Sequence, residues 1–272
     1  MNGIFENILY RWRSLERVSV PADLWRGAFA FLCAGILWEV LARYVIASPL
    51  FFSPLTDIAA KAISLWQAGE LQVHIWVSFV EFAIGYGLSA VLGIAFGMVL
   101  AGSRTLRSYF DPLLSMLYAT PIIALGPIFI MWLGIGISSK VAIIFLTAVF
   151  PILINTVAGL TTTDRNLVDV ARSFGASQTY IYLKIRTPSA LPFIIAGLRL
   201  SVARALVGVV IAEMFGARAG LGFLIFSSAQ SFDTASVFVG VVILAFAGVV
   251  SVEFLKWLEF KLAPWRREAS EE

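Results

Sequence analysis

The chain has a single cysteine, Cys33, and a single histidine, His74, in 272 residues, and charged side chains make up only 14% of it. One cysteine excludes a disulfide framework within the chain. One histidine with no cysteine nearby leaves too few ligands for a zinc site. No Gly-x-x-x-x-Gly-Lys-Ser/Thr run occurs, so the chain carries no phosphate-binding loop, and it has neither a His-Glu-x-x-His pair nor a recognisable serine-nucleophile motif. These gaps speak against a metalloprotease, a hydrolase and a self-contained ATPase. The net charge of +3 is too small to imply nucleic acid.

Apolar residues are what the chain has in abundance. They make up 60% of the sequence, mean hydropathy is +0.89, and a soluble domain would carry about 25% charged residues. About 20 apolar residues cross a bilayer, and six such stretches fall near 27–47, 75–101, 112–134, 141–160, 190–215 and 235–255. The expected fold is an all-α polytopic membrane protein with six transmembrane helices and no internal repeat. Residues 1–26, with Arg11, Arg13, Arg17 and Arg26 and an apolar face of Ile4, Ile8, Trp12 and Leu15, read as a helix lying on the membrane surface rather than a cleaved signal. Residues 27–260 are expected to form one membrane domain and 261–272 a cytoplasmic tail.

Small and polar residues inside the spans mark where helices meet or a pathway runs. Gly85, Ser89, Gly93 and Gly97 recur every four residues and form a ridge for close helix packing. Glu39 and Arg43, four apart, share a helical face and are expected to pair, a proton relay being the alternative. Glu81 awaits either a buried structural partner or a transport role. Residues 53–69, opened by Ser53 and Pro54 and closed by Gly69, predict a helix on the outer surface. Pro121 and Pro127 within the third span predict a kinked helix, lining the pathway with Tyr118, Thr120 and Pro121, or bent only for packing. Arg204, deep in the fifth span, either faces the pathway and attracts an anion or pairs with a carboxylate of another helix. Residues 216–234 predict a short half-buried outer helix beside a gate.

One polar stretch, 161–192, interrupts the apolar sequence. Thr161 to Asp164 offer N-caps; Leu167, Val170, Ala171 and Phe174 follow at the spacing of one apolar helical face. Gly175 predicts a left-handed stop. Ser177 caps a second short helix, and Pro188 and Pro192 are expected to turn the chain into the next span. With the N-terminus inside, the cytoplasmic segments hold fourteen basic residues: Arg11, Arg13, Arg17, Arg26, Arg104, Arg107, Arg165, Arg172, Lys184, Arg186, Lys256, Lys261, Arg266 and Arg267. The outer side holds three, Lys61, Lys140 and Arg218, so both termini and the 161–192 stretch are expected in the cytoplasm.

The run Asp169, Val170, Ala171, three residues, Gly175, nine residues, Ile185, Arg186, Thr187, Pro188 resembles the EAA loop of ABC importer permeases. That pattern is Glu-Ala-Ala, three residues, Gly, nine residues, Ile, one residue, Leu-Pro. Asp169, Val170 and Thr187 depart from it, the first keeping the charge. The resemblance covers roughly 65–262, and the runs ATPIIALGPIFIMWLGIG and GLGFLIFSSAQSFDT are similar to the nitrate, sulfonate and taurine type. It implies the type I importer permease fold in a bacterial inner membrane, with 161–192 as the coupling helix. Asp169, Val170, Ala171, Phe174, Gly175, Ile185 and Pro188 would then couple to the ATPase. It also implies a second copy of the chain, two ATPase subunits that hold ATP and Mg, and an external solute-binding protein. The chain itself would hold no cofactor. The rival expectation is a secondary transporter driven by an ion gradient through Glu39, Arg43, Glu81 and Arg204; a passive channel or scaffold gives no reason for the helix pair at 161–192.

Overall fold

The structure, a computed structural model, describes residues 22–262 except 47 and 49. The surface helix expected before residue 22 and the tail from 263 lie outside the described residues. Residues 22–26 open the first helix, α1 (Ala22–Val40), which widens into a π-helical turn over Leu41–Ile46. Then follow α2 (Leu55–Gln67), α3 (Glu70–Gly102), α4 (Arg104–Ala119), a 3-10 turn at Ile122–Leu125 and α5 (Gly126–Leu133). Next come α6 (Ile137–Thr161), α7 (Arg165–Ser173), α8 (Gln178–Ile181) with a π-helical turn over Tyr182–Arg186, α9 (Thr187–Gly216), α10 (Leu221–Gln230) and α11 (Thr234–Leu262). Among the described residues every regular element is helical. Five helices are long and apolar enough to cross a membrane, or six if the bent α4–α5 pair counts as one span, in agreement with the six stretches in the sequence.

The core is α6 held between α3 and α9. The expected ridge on α3 is buried at all four positions. A Cβ at Gly85 would sit 2.6 Å from Cγ2 of Ile144, one at Gly93 3.1 Å from Ile152 and one at Gly97 2.7 Å from Thr156, so α6 seats a residue of its own against each glycine. Ser89, between them, donates to Phe145 O across the seam at 3.0 Å. A second small-residue ridge, not singled out from the sequence, runs along α9 through Gly197, Ser201, Ala205 and Gly208. There a Cβ at Gly197 would meet Asn155 at 2.8 Å and one at Gly208 would meet Thr147 at 2.5 Å. Between transmembrane helices, contact this close replaces the hydrophobic drive that lipid tails do not supply.

Two expectations about proline are corrected. The third span bends at Pro121 as expected, but as a broken helix rather than a continuous kinked one, and it does not open at 112. It starts at Arg104, capped by the Ser103 hydroxyl accepting from Leu106 N at 3.3 Å, and it breaks by 79° between α4 and the Ile122–Leu133 pair. Thr120, forced out of helical conformation by the Pro121 ring, has ψ 130° and ends α4. The second correction concerns Pro188 and Pro192, which turn nothing: 178–216 is one continuous apolar helix. The wide turn at Tyr182–Arg186 absorbs the missing Pro188 donor, and the Thr187 hydroxyl donates to Tyr182 O at 2.9 Å.

At the end of the bundle away from α7, α2 lies against α11 and α10, its Ile58 buried with Leu71, Leu221, Leu224 and Val239. Ser53 does not cap α2, because the N-cap position falls on Pro54; the Ser53 carbonyl instead accepts from Trp38 Nε1 (3.1 Å), whose ring stacks on Phe52. Glu39 does that work instead. It accepts from Arg43 Nε at 2.7 Å, as the spacing predicts, and also from the Thr56 hydroxyl at 2.9 Å and Thr56 N at 3.4 Å, pinning α1 to the start of α2. The ridge gives a paired test. Gly85→Leu, which overpacks the α3–α6 seam, is expected to lower stability by about 1–3 kcal/mol, whereas Gly87→Ala, with nothing within 4 Å of the new carbon, leaves the thermal unfolding midpoint in detergent unchanged.

Candidate coupling segment and translocation cleft

The helix pair expected at 161–192 is present, and its ends are built by local hydrogen bonds. Asp164 caps α7 by accepting from Asn166 N at 2.8 Å. The helix closes with Gly175 N donating to Arg172 O (2.9 Å) and Ala176 N to Ala171 O (3.0 Å), the bond pair of a Schellman turn. Gly175 has φ 75°, as expected of its position. Ser177 then caps α8, accepting from Tyr180 N at 3.2 Å.

The apolar stripe of α7 faces outward. Leu167 is 53% exposed, Val170 57% and Phe174 88%, while Val168, one position off the stripe, is the residue that packs against the membrane domain. Asp169, also exposed, reaches only its neighbour Arg172 at 3.4 Å. Ala171, Ile185 and Pro188 are half-buried. An apolar face presented beyond the protein's own core marks a surface awaiting a partner.

A second locus lies where the third span breaks. Tyr118, Thr120 and Pro121 share one cleft of 330 Å³ with Thr147, Phe150 and Arg204. Thus the four residues singled out from the sequence, though 86 positions apart at their extremes, meet at one place. Arg204 Nη2 donates to the Tyr118 hydroxyl at 2.7 Å, and its Cζ lies 4.7 Å from that ring's centre. No carboxylate lies within ion-pair distance of Arg204 among the described residues. By contrast Arg43 pairs with Glu39, Lys140 with Glu81, and Arg199 with Glu259 on α11. After the break at Pro121, α5 returns close against α9, where a Cβ at Gly126 would meet the Phe215 ring at 2.9 Å.

The end of the core away from α7 holds a buried polar network that the sequence only hinted at. Lys140 belongs to the first turn of α6, not to an exposed loop, and its Nζ donates to Glu81 Oε1 at 2.6 Å, so Glu81 has the structural partner it was expected to need. Fully buried Glu213, at the end of α9, accepts from the Ser78 hydroxyl (2.6 Å) and from Gly222 N (2.6 Å). Ser78 in turn accepts from Leu221 N at 2.7 Å, and His74 Nδ1 accepts from Gly220 N at 3.0 Å. Three side chains therefore satisfy the free N–H groups that open α10. A Cβ at Gly220 would meet Glu213 Oε2 at 2.3 Å, so a glycine is needed for the carboxylate to approach. The legible signal was a glutamate seven to nine residues ahead of two glycines; Ser78 and Lys140 gave none. No group of three or more His, Cys, Asp and Glu side chains among the described residues is placed to hold a metal ion. Removing one member of a buried ion pair costs about 3–5 kcal/mol, while removing both is far milder. Lys140→Met is therefore expected to lower the unfolding midpoint sharply, and the added change Glu81→Leu to restore most of it.

Comparison with known proteins agrees with this architecture. The family model for the binding-protein-dependent transport system inner membrane component matches residues 91–264, more than half of the chain. The putative aliphatic sulfonates transport permease protein SsuC of Bacillus subtilis is 36% identical over 230 residues, 85% of this chain and 83% of that protein. The formylaminopyrimidine transport permease protein ThiX of Halalkalibacterium halodurans is 34% identical, covering 88% of this chain and 94% of that one. The taurine transport system permease protein TauC of Escherichia coli is 27% identical, covering 95% and 94%. Among solved structures, an inward-facing MetNI methionine ABC transporter aligns with a TM-score of 0.54 at 19% identity, over 68% of this chain and 95% of that chain, which fixes the type I importer permease fold. ATP hydrolysis accordingly belongs to a separate subunit, and the ion-gradient alternative falls. The chain belongs to the family of binding-protein-dependent transport system inner membrane components, the permease subunits of ABC importers.

Proposed function

We propose that two copies of this chain enclose a pathway for a small anion such as a sulfonate, taurine, nitrate or bicarbonate, delivered by an external binding protein, with both termini in the cytoplasm of a bacterial inner membrane. The observation that carries the reading is the outward apolar face of α7, Leu167, Val170 and Phe174, at the one place where the sequence matches a coupling helix. Each of the two ATPase subunits, holding ATP and Mg, receives one such face. Asp169, Val170, Ala171, Phe174 and Gly175 form the contact, and Ile185 and Pro188 hold the return to α9. The excess of basic residues on this side supports the orientation.

Arg204 supports the anionic substrate. Its guanidinium, hydrogen-bonded to the Tyr118 hydroxyl and paired with no carboxylate among the described residues, is available to an incoming oxyanion. The sulfonate and taurine named for two of the relatives carry such a group. ATP binding would close the ATPases, move α7 and switch the cleft between inward and outward access as α3, α6 and α9 move together.

Two variants test the halves of this reading separately. Gly175→Val places a β-branched residue at φ 75°, costing about 1–2 kcal/mol locally. It is expected to leave membrane insertion intact and to weaken ATPase association; full ATP-dependent uptake by this variant would refute the coupling role. Arg204→Gln is expected to cut sulfonate uptake at least tenfold in an assembled complex, and unchanged uptake in that complex would remove Arg204 from the pathway.

A further inference from the structure

A pocket on the α7 side of the membrane domain gathers arginines to which neither coupling nor transport assigns a role. Arg104 and Arg107 from the start of α4, Arg165 and Arg172 from α7, and Arg186 from the π-helical turn line one cavity of 760 Å³. Only one carboxylate, Asp169, faces them there. Arg172 reaches it at 3.4 Å and Arg107 reaches Asp111 at 3.5 Å, both carboxylates more than half exposed. Arg104, Arg165 and Arg186 have no carboxylate within ion-pair distance among the described residues. Further in, Leu100, Leu160 and Val168 are buried, and the Thr163 hydroxyl is buried with no hydrogen-bond partner. Three guanidiniums without a carboxylate, two more only loosely paired, and an idle hydroxyl leave this hollow with more donors than acceptors.

The pocket does not end in water. It shares Gly102 and Arg186 with a second cavity of 520 Å³ whose walls are chiefly apolar, with Met98 and Val99 of α3 on one side and Ile181 and Leu183 on the other. The Tyr182 hydroxyl, donating to Met98 O, ties the two walls together. Val99 and Leu183 are more than half exposed, so the groove is open along an exposed apolar helix surface. A cationic chamber continuous with an apolar groove has the polarity of an amphiphile.

We propose that this composite pocket binds an anionic phospholipid, the phosphate among Arg104, Arg165 and Arg186 and an acyl chain in the groove between α3 and the turn at Tyr182. A free phosphate would use the chamber and leave the groove empty, and an acidic segment of a partner protein would have no use for an apolar channel running into the membrane. The site rests on the orientation proposed above, which places it at the inner leaflet, where anionic lipids meet basic pockets between helices. A lipid held there touches α3, α4, α7 and the foot of α9 at once, and so steadies the base from which the coupling helix projects.

The test uses the permease purified with its ATPase partner in mild detergent, titrated with dioleoylphosphatidylglycerol or dioleoylphosphatidylcholine and read by native mass spectrometry. Phosphatidylglycerol is expected to bind at least tenfold more tightly than phosphatidylcholine, which has the same chains, and millimolar inorganic phosphate is expected not to displace it. At about fivefold per arginine, Arg104→Gln with Arg186→Gln is expected to weaken phosphatidylglycerol binding about 25-fold. Equal binding of the two lipids overturns the proposal, and so does displacement by phosphate, which would mark a free-anion site. Loss of the ATPase from the double variant with lipid binding unchanged also overturns it, assigning the arginines to a protein contact. If the double variant does not assemble, the lipid comparison and the phosphate competition on the unaltered chain still decide. ATP-dependent uptake measured alongside separates the readings: uptake without selective lipid binding removes only this site, whereas its absence in the unaltered complex counts against the importer reading itself.

Discussion

The structure depends on how closely α6 approaches its two neighbours. At Gly85 and Gly97 on one side, and at Gly197 and Gly208 on the other, a single added carbon would fall within 2.8 Å of α6 atoms. Backbones this near leave no room for sliding, so α3, α6 and α9 behave as one slab. The other elements are attached to it. The Glu81–Lys140 pair and the Glu213 network fix one end of it, and α7 hangs from the other end through Val168. By contrast α1 is exposed along most of its length and is tied in mainly through Glu39, Arg43 and Trp38.

Against that slab the third span is free to be irregular. Its break at Thr120 and Pro121 leaves backbone groups unpaired, a condition membranes tolerate only beside protein or water. The same break opens the cleft that brings Tyr118 to Arg204. An arginine deep in a span, facing an irregular backbone and a phenol, is costly for stability alone, and the cost is readily understood if an anion passes there.

What could be read from the sequence follows from which signals are local. The helix pair around Gly175 was legible because its caps, apolar spacing and glycine stop all lie within 17 residues, from Asp164 to Tyr180. The α3 ridge was legible because glycine every fourth residue has one geometric meaning. Its counterpart on α9 was not, since serine and alanine there look like ordinary span residues. The hold of Glu213 on Ser78 spans 135 positions, and no local pattern announces such a contact. The prolines misled for a related reason: Pro188 breaks a regular α-helix, but one widened turn accommodates it, and only the fold reveals that the turn is there.

That widened turn has a mechanical consequence. Because the chain does not break at Pro188, 178–216 is a single rod of 39 residues, roughly 58 Å long at 1.5 Å per residue. At one end is Ser177, two residues beyond the Gly175 stop of α7. Arg204 lies partway along it, beside the cleft. Glu213, near the other end, grips the start of α10. If α7 couples as proposed, a displacement there reaches the cleft and α10 through one continuous helix, seated by its small-residue ridge against α6. In the proposed assembly the ATPases need not send a signal through a chain of side-chain contacts. They push on one end of a rod whose other positions already touch the two places where access would change.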